Sequence, residues 1–392
     1  MLENHNPIKT TLPMNSSPSV RGYSGEVVYL FAFDVAYEMP RTPLRELLGQ
    51  PVAQFSVDAG KRSPRQLFFY KPQMVRLQPV QRVGPQGPVS VQFIIKLLPV
   101  GAISISVHVP FSVSSIEDLV GYHDLQFSTG PLNTEVRQLA ETIRAELASY
   151  FIRPVPQLVE EEAYTVFCLE SPMSNGVGKT IPAESWLHNN RRKIAALLTQ
   201  ESNPESLSRQ EADESTMRHL SYYEQDVVVV DWDAALIVDD KKNFEETLYL
   251  MELANLQLAE LEAYDRLLDD ALDRAYRDLR QAAWHQRRNV LGDLREIRID
   301  MTRLSDELSN ITKFFGDWHM ARIYQNLASR FHLADWHRTI DEKLNTLDDL
   351  YQLLHHDENN RWMLILEIAI VLLFIIDVLI ILYQGSATGL KP

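Results

Sequence analysis

Four groupings of residues in this chain have the types, and nearly the spacings, that perform chemistry. Gly176-Val-Gly-Lys-Thr180 carries the Gly, Lys and Thr that cradle a nucleotide's phosphates, and Val227-Val-Val-Val-Asp231 ends in the acid that would hold magnesium. The loop fails on spacing: the full motif needs glycine at position 173, which is Met173, and Pro182 follows where only a first helical turn tolerates it. The parallel strands that such a nucleotide domain requires are not expected here either. The second grouping is His355-His356-Asp357-Glu358, with the triplets Asp317-Trp318-His319 and Asp335-Trp336-His337. Adjacent residues on a helix point in different directions, so the first of these reads as a solvated face rather than a metal cluster. The triplets read as helix entries, with Asp accepting from backbone N–H groups and Trp packing inward. Third, Cys168 is the single cysteine, so no intrachain disulfide forms. Within an apolar strand it reads as a packing residue and not a nucleophile. No Ser–His–Asp grouping, Cys/His metal spacing or dinucleotide-binding glycine pattern is recognisable. The sequence therefore assigns no catalytic residue, metal or cofactor, and a non-enzymatic role is expected, with an unrecognised site in the N-terminal domain as the remaining enzymatic option.

The fourth grouping is intramembrane acid. Trp362 to Tyr383 is apolar apart from Glu367 and Asp377. As a helix its roughly 22 residues reach about 33 Å, the thickness of a hydrocarbon core. About 16 Leu, Ile, Val and Phe contribute roughly −5 to −10 kcal/mol to insertion. Two acids at the bilayer centre would cost roughly +5 to +7 kcal/mol, and less off centre, so a transmembrane helix over 362–383 is expected. Trp362 and Tyr383 stand at its ends, where interfacial aromatics belong. Glu367 and Asp377 lie about 80° apart around the helix and share one sector. They serve a subunit contact or a proton- or ion-linked function, or are tolerated near the headgroups. Residues 1–25 hold no basic region followed by an apolar run, so no signal peptide is expected. The expected layout is single-pass and tail-anchored in the inner (cytoplasmic) membrane, with 384–392 as a short tail and the bulk of the chain in the cytoplasm.

A cationic run adds a possible contact surface. Between Asp58 and Glu117 there is no acid, while Lys61, Arg62, Arg65, Lys71, Arg76, Arg82 and Lys96 are present. The chain as a whole is at −15, which excludes nucleic-acid binding over the entire surface. Lys61, Arg62, Arg65, Lys71 and Arg76 are the candidates for an anionic lipid or RNA contact within 61–96. The same charges also suit an edge strand kept soluble.

These groups need elements to hold them. Residues 1–25 are polar and expected to be flexible. Residues 26–239 read as an α+β domain. Strands are expected at Val27–Phe33, Gln66–Tyr70 and Tyr164–Leu169, and at 227–232 and 235–238. Val91–Leu98 and Ala102–Val109 flank Pro99-Val-Gly101 as a hairpin. In the second arm Ile103, Ile105, Val107 and Val109 alternate with Ser104, Ser106 and His108, which predicts one buried and one wet face and a surface His108. Helices are expected near 115–122, 133–151 and 183–198, with a loop over 201–215. Residues 240–361 read as an antiparallel or coiled-coil helical stalk. Asn243 and Glu246 form an N-cap-like pair around Phe244. Leu294, Ile297, Met301, Leu304 and Leu308 belong to a series with alternating steps of three and four, the seam of a coiled coil with the first helix or another subunit.

The C-terminal part carries Ala254-Asn-Leu-Gln-Leu258, Tyr264-Asp265, Phe314-Phe315-Gly-Asp-Trp318, a run from Ile340 to Leu354, and Asn360-Arg361 entering an apolar stretch with an early Glu367. This set, over about residues 227–383, resembles the Rmd/YagE-type family of uncharacterised bacterial and mitochondrial proteins. The resemblance implies an α+β N-terminal domain, a helical stalk and a C-terminal membrane anchor. It also implies oligomeric inner-membrane proteins tied, in mitochondria, to organelle translation. It transfers no functional residue. The sequence thus points to a homo-oligomeric membrane scaffold in contact with lipid, its other protein partners unspecified.

Overall fold

A computed structural model of the chain describes residues 22–39, 43–55, 72–84, 87–99, 101–127, 130–155, 158, 161–175, 179–280, 299 and 318–388. The chain divides into two compact units, Met1–Ala259 with Asn310–Leu333, and Glu260–Ser309 with Ala334–Pro392.

The first unit is built on a mixed sheet, ten-stranded among the described residues. Its strands are β1 (Tyr23–Asp34), β2 (Ala53–Gln54), β3 (Gln73–Arg76), β4 (Val80–Gly84), β5 (Gly87–Leu97), β6 (Ala102–Val113), β7 (Glu162–Glu170), β8 (His219–Leu220), β9 (Val227–Val230) and β10 (Ala234–Asp239). The order is β8-β9-β10-β7-β1-β6-β5-β3-β2, with β4 beside β5. β7 and β10 pair in parallel, Thr165 opposite Ala234 and Glu170 opposite Asp239, and the other pairs are antiparallel. The β5–β6 hairpin forms where the alternation placed it. Its turn needs Gly101: φ is +88°, and a Cβ there would collide with the Ala36 carbonyl oxygen.

One face of the sheet carries Val27, Tyr29, Phe31, Phe33, Ile103, Ile105 and Val107. It packs against α1 (Leu132–Leu147), whose Leu132, Val136, Ala140, Ile143 and Leu147 follow helical spacing. It also packs against α2 (Ala183–Asn189) and α3 (Arg191–Leu198), two helices where the sequence suggested one. The expected loop over 201–215 is in part helical: α4 (Arg209–Met217) starts within it, capped by the Ser208 side chain, which accepts from the Glu211 N–H at 3.0 Å.

The second face is covered as well. Helix α5 (Phe244–Arg280) places Phe244, Leu248 and Glu252, four residues apart, over β5, β6 and β1. Burial on both faces explains why Val27 to Phe33 is apolar without alternation. Ser104 and Ser106 are 2% and 3% exposed, so the predicted wet face is corrected: it lies under a helix. The capping at α5 also differs. Asp240 starts a 3₁₀ turn over Lys241–Asn243, and Asn243 donates its amide back to Asp239 at 2.8 Å. Helix α6 (Trp318–Arg330) completes this unit, with Ile323, Tyr324, Leu327 and Arg330 buried and the Tyr324 hydroxyl donating to Gln257. Trp318 is 79% exposed, against the inward packing expected of its triplet.

In the second unit, residues 260–280 of α5 bury Leu261, Leu268, Ala271 and Ala275. Helix α7 (Leu333–Thr388, 56 residues) buries Ile340, Leu344 and Leu347. Lys343 bridges Asp265 and Asp269 at 2.6 Å each, so these helices are joined within one chain. Farther along α7, Met363–Ile380 is apolar, with mean hydropathy 3.0 and none of it buried.

Candidate functional site

The described residues carry a cleft of about 210 Å³ on the second face of the sheet, wholly within the first unit. Strand register builds its floor. Ser106 lies between Ile94 on β5 and Leu30 on β1, while His108 lies between Gln92 and Val28. Ser104 lies opposite Lys96 at one end. The period of two puts all of these on one face, so a polar stripe down β6 runs between Gln92, Ile94 and Lys96 of β5 and Val28 and Leu30 of β1. Phe244, Leu248 and Glu252 of α5 form the facing wall, and Phe55, Met74 and Arg76 close a side.

A buried ion pair marks one end. Lys96 and Glu252 are 7% and 5% exposed and bonded to each other, and the Ser104 hydroxyl donates to the second Glu252 oxygen at 2.5 Å. The Lys96 ammonium also lies 4.1 Å from the centre of the Phe55 ring. At the other end His108 Nδ1 lies 3.3 Å from Glu26. Burial pushes the Glu26 carboxyl up, but the His108 hydrogen bond and the charges of His108 and Lys241 outweigh it and hold it below the usual range. Arg76–Glu245 at 3.1 Å and Lys241–Glu170 at 3.6 Å are exposed pairs at the rim. Sequence reasoning found the stripe but not the cleft. Its signal was Glu252, spaced four residues after Leu248 on the helix, since a buried carboxylate needs a cation.

The expected site residues are dispersed. Arg76 sits at the cleft rim, whereas Lys61, Arg62, Arg65 and Lys71 lie outside the described residues, as does Gln66–Tyr70. The seam residues Leu294, Ile297, Met301, Leu304 and Leu308 also lie outside them. Glu367 and Asp377 are on α7 in its exposed apolar stretch. Trp362 and Tyr383 have helical backbone, and their side chains fall outside the described part.

The tempting motifs take other roles. The Asn175 N–H donates to the Lys179 carbonyl at 2.9 Å and Ser174 pairs with Thr180, while 176–178 lie outside the described residues. Asp231 is buried and bonded to Arg330 of α6, which also reaches Glu214 at 3.5 Å. That arrangement latches α6 to the sheet. Cys168 is fully buried, and burial pushes its thiol well up, which suppresses the nucleophilic thiolate.

Fold and cleft together define a mixed α/β sheet domain followed by helices, one of them a candidate apolar C-terminal helix. Residues 24–245 match the family described as the N-terminal domain of uncharacterized protein MJ0711, and the chain belongs to that family. Uncharacterized protein MJ0711 of Methanocaldococcus jannaschii is 23% identical over 222 residues, covering 56% of this chain and 66% of the relative's length. No solved structure matches the chain. The resemblance to the Rmd/YagE-type family is thereby corrected: the family match falls on the N-terminal part, and no Rmd/YagE match is found. The resemblance rested on helical patterns such as Ala254-Asn-Leu-Gln-Leu258 and the run from Ile340 to Leu354, which long amphipathic helices repeat in unrelated proteins.

Proposed function

We propose that this protein is a membrane-anchored scaffold. In this reading Met363–Ile380 of α7 crosses the inner membrane, and Trp362 and Tyr383 meet its two interfaces. The helices before it form a coiled-coil stalk that assembles copies of the chain, and the sheet domain is held on the cytoplasmic side. The role is one of placement rather than catalysis.

One observation supports the anchor above others. An 18-residue helical stretch of mean hydropathy 3.0 has none of its residues buried. Each Leu, Ile, Val or Phe left in water forgoes about 1.5–3 kcal/mol of burial, so such a stretch needs lipid or a partner around it. Its helix is long enough to meet both bilayer faces. The cations at 61–76 favour an anionic leaflet as the neighbouring surface, since a domain tethered there meets lipid phosphate at high local concentration.

Alkaline carbonate washing of membranes from cells making the full chain tests the anchor. The chain should stay with the membranes, and a form lacking 363–380 should appear in the wash. Recovery of the intact full chain in the wash would overturn the reading.

A further inference from the structure

We propose that the cleft under α5 binds a small uncharged ligand with an amide, carbonyl or hydroxyl head and a short apolar body. The charges of the cleft are already matched. Arg76, Lys96 and Lys241 stand against Glu26, Glu245 and Glu252 in its lining. Lys96 is closed on Glu252, Arg76 on Glu245 and His108 on Glu26. Lys241 faces Glu170. An anion or cation entering the floor would have to displace a partner from the buried Lys96–Glu252 pair and strand a charge away from water.

The groups left over are neutral. Among the described residues, neither the Ser106 hydroxyl nor the Gln92 side-chain amide has a hydrogen-bond partner. Ser106 is 3% exposed and lies on the cleft floor, so little but an occupant of the cleft can satisfy it. One register step separates it from Gln92 and His108. Val28, Leu30, Ile94, Phe55, Phe244 and Leu248 surround these groups with apolar surface. The ligand's head therefore meets Ser106 and Gln92, and its body lies along the α5 wall. The volume of about 210 Å³ is under the range of about 300–1,000 Å³ that suits drug-sized molecules, which limits the ligand to a small one.

Three probes of one chain length isolate the head group: hexanamide, hexanoate and hexylammonium. Each is titrated against the full chain in lipid nanodiscs by saturation-transfer NMR, with empty nanodiscs as the blank. Leu248→Trp fills the cleft, and Ser106→Ala removes the free hydroxyl. Hexanamide should give a signal that Leu248→Trp abolishes and that Ser106→Ala weakens about tenfold, the size of one hydrogen bond. Hexanoate and hexylammonium should bind at least about tenfold more weakly than the amide, since each opens an ion pair. The proposal fails if hexanamide gives the same signal in all three proteins, or if either charged probe binds as well as the amide. It also fails if no Leu248-dependent signal arises up to about 10 mM, the outcome for a cleft that holds only water. Should Leu248→Trp melt early and prove unfolded, Ser106→Ala, a small loss at an unpaired group, decides alone.

Discussion

The His123 ring joins two parts of the first unit. Its Nε2 lies 2.5 Å from the Leu197 carbonyl oxygen at the end of α3, and its edge meets Phe167 of β7 at 4.9 Å between centroids. A carbonyl only accepts, so Nε2 carries a proton in this contact. Burial pulls the His123 pKa below 6.5, while the Leu197 carbonyl, Asp124 and Asp233 oppose this without cancelling it. The folded value thus lies under the unfolded one, and the unfolded chain takes up more protons between the two. The stabilising contribution is complete above the unfolded value of about 6.5 and is lost as pH falls toward the folded one. The urea midpoint should therefore fall on acidification from pH 7.5 to 5.5 (both roughly chosen to bracket the ordinary His value), and His123→Gln should flatten part of that fall. His337 is shifted in the same direction and adds its own part of the fall. An identical slope in the variant would remove His123 from this account. Little of this was legible in the sequence: Leu197 is 74 residues from His123, and no local pattern announces their bond.

At the scale of elements, α5 is fixed to the sheet by a polar contact inside an apolar layer. Glu252 receives both Lys96 and Ser104, and Asn255 donates to the Glu162 carbonyl at 3.0 Å one turn later. Removing one member of a buried pair strands the other, which costs about 3–5 kcal/mol, whereas replacing both with apolar side chains is near neutral. Glu252→Ala or Lys96→Met should therefore lower unfolding free energy by about that much, and Lys96→Met with Glu252→Leu should recover most of it. Denaturant titration decides: single changes within about 1 kcal/mol of the parent would show the pair to be solvated. Strands and the hairpin were legible because alternation, Gly101 and the run from Val27 to Phe33 are local signals. The covering helix was not, because Ser104 and His108 look equally suited to water or to a helix 148 residues away. The parallel pairing of β7 with β10 escaped for the same reason.

At the scale of the whole molecule, the family match and the apolar helix lie in different parts of the chain, 24–245 and 363–380. Anchoring and assembly therefore need separate tests. The proposed assembly rests on the seam of Leu294, Ile297, Met301, Leu304 and Leu308. The described helices already use part of their apolar surface within one chain, where Lys343 bridges Asp265 and Asp269 beside Leu268 and Leu344. Assembly would need a further apolar face, and the alternating three- and four-residue steps of that seam, outside the described residues, are the sequence's candidate for it. Two charges in such a seam oppose like charges on a neighbouring copy without touching the apolar stretch of α7. Leu304→Glu with Leu308→Glu should reduce cross-linked oligomers in membranes to the monomer band by roughly tenfold or more, about the effect of returning two buried leucine side chains to water. The same protein should remain with the membrane in alkaline carbonate. An unchanged ladder of cross-linked species, with thermal stability lowered instead, would mean that the seam closes on a helix of its own chain and that the stalk carries no assembly.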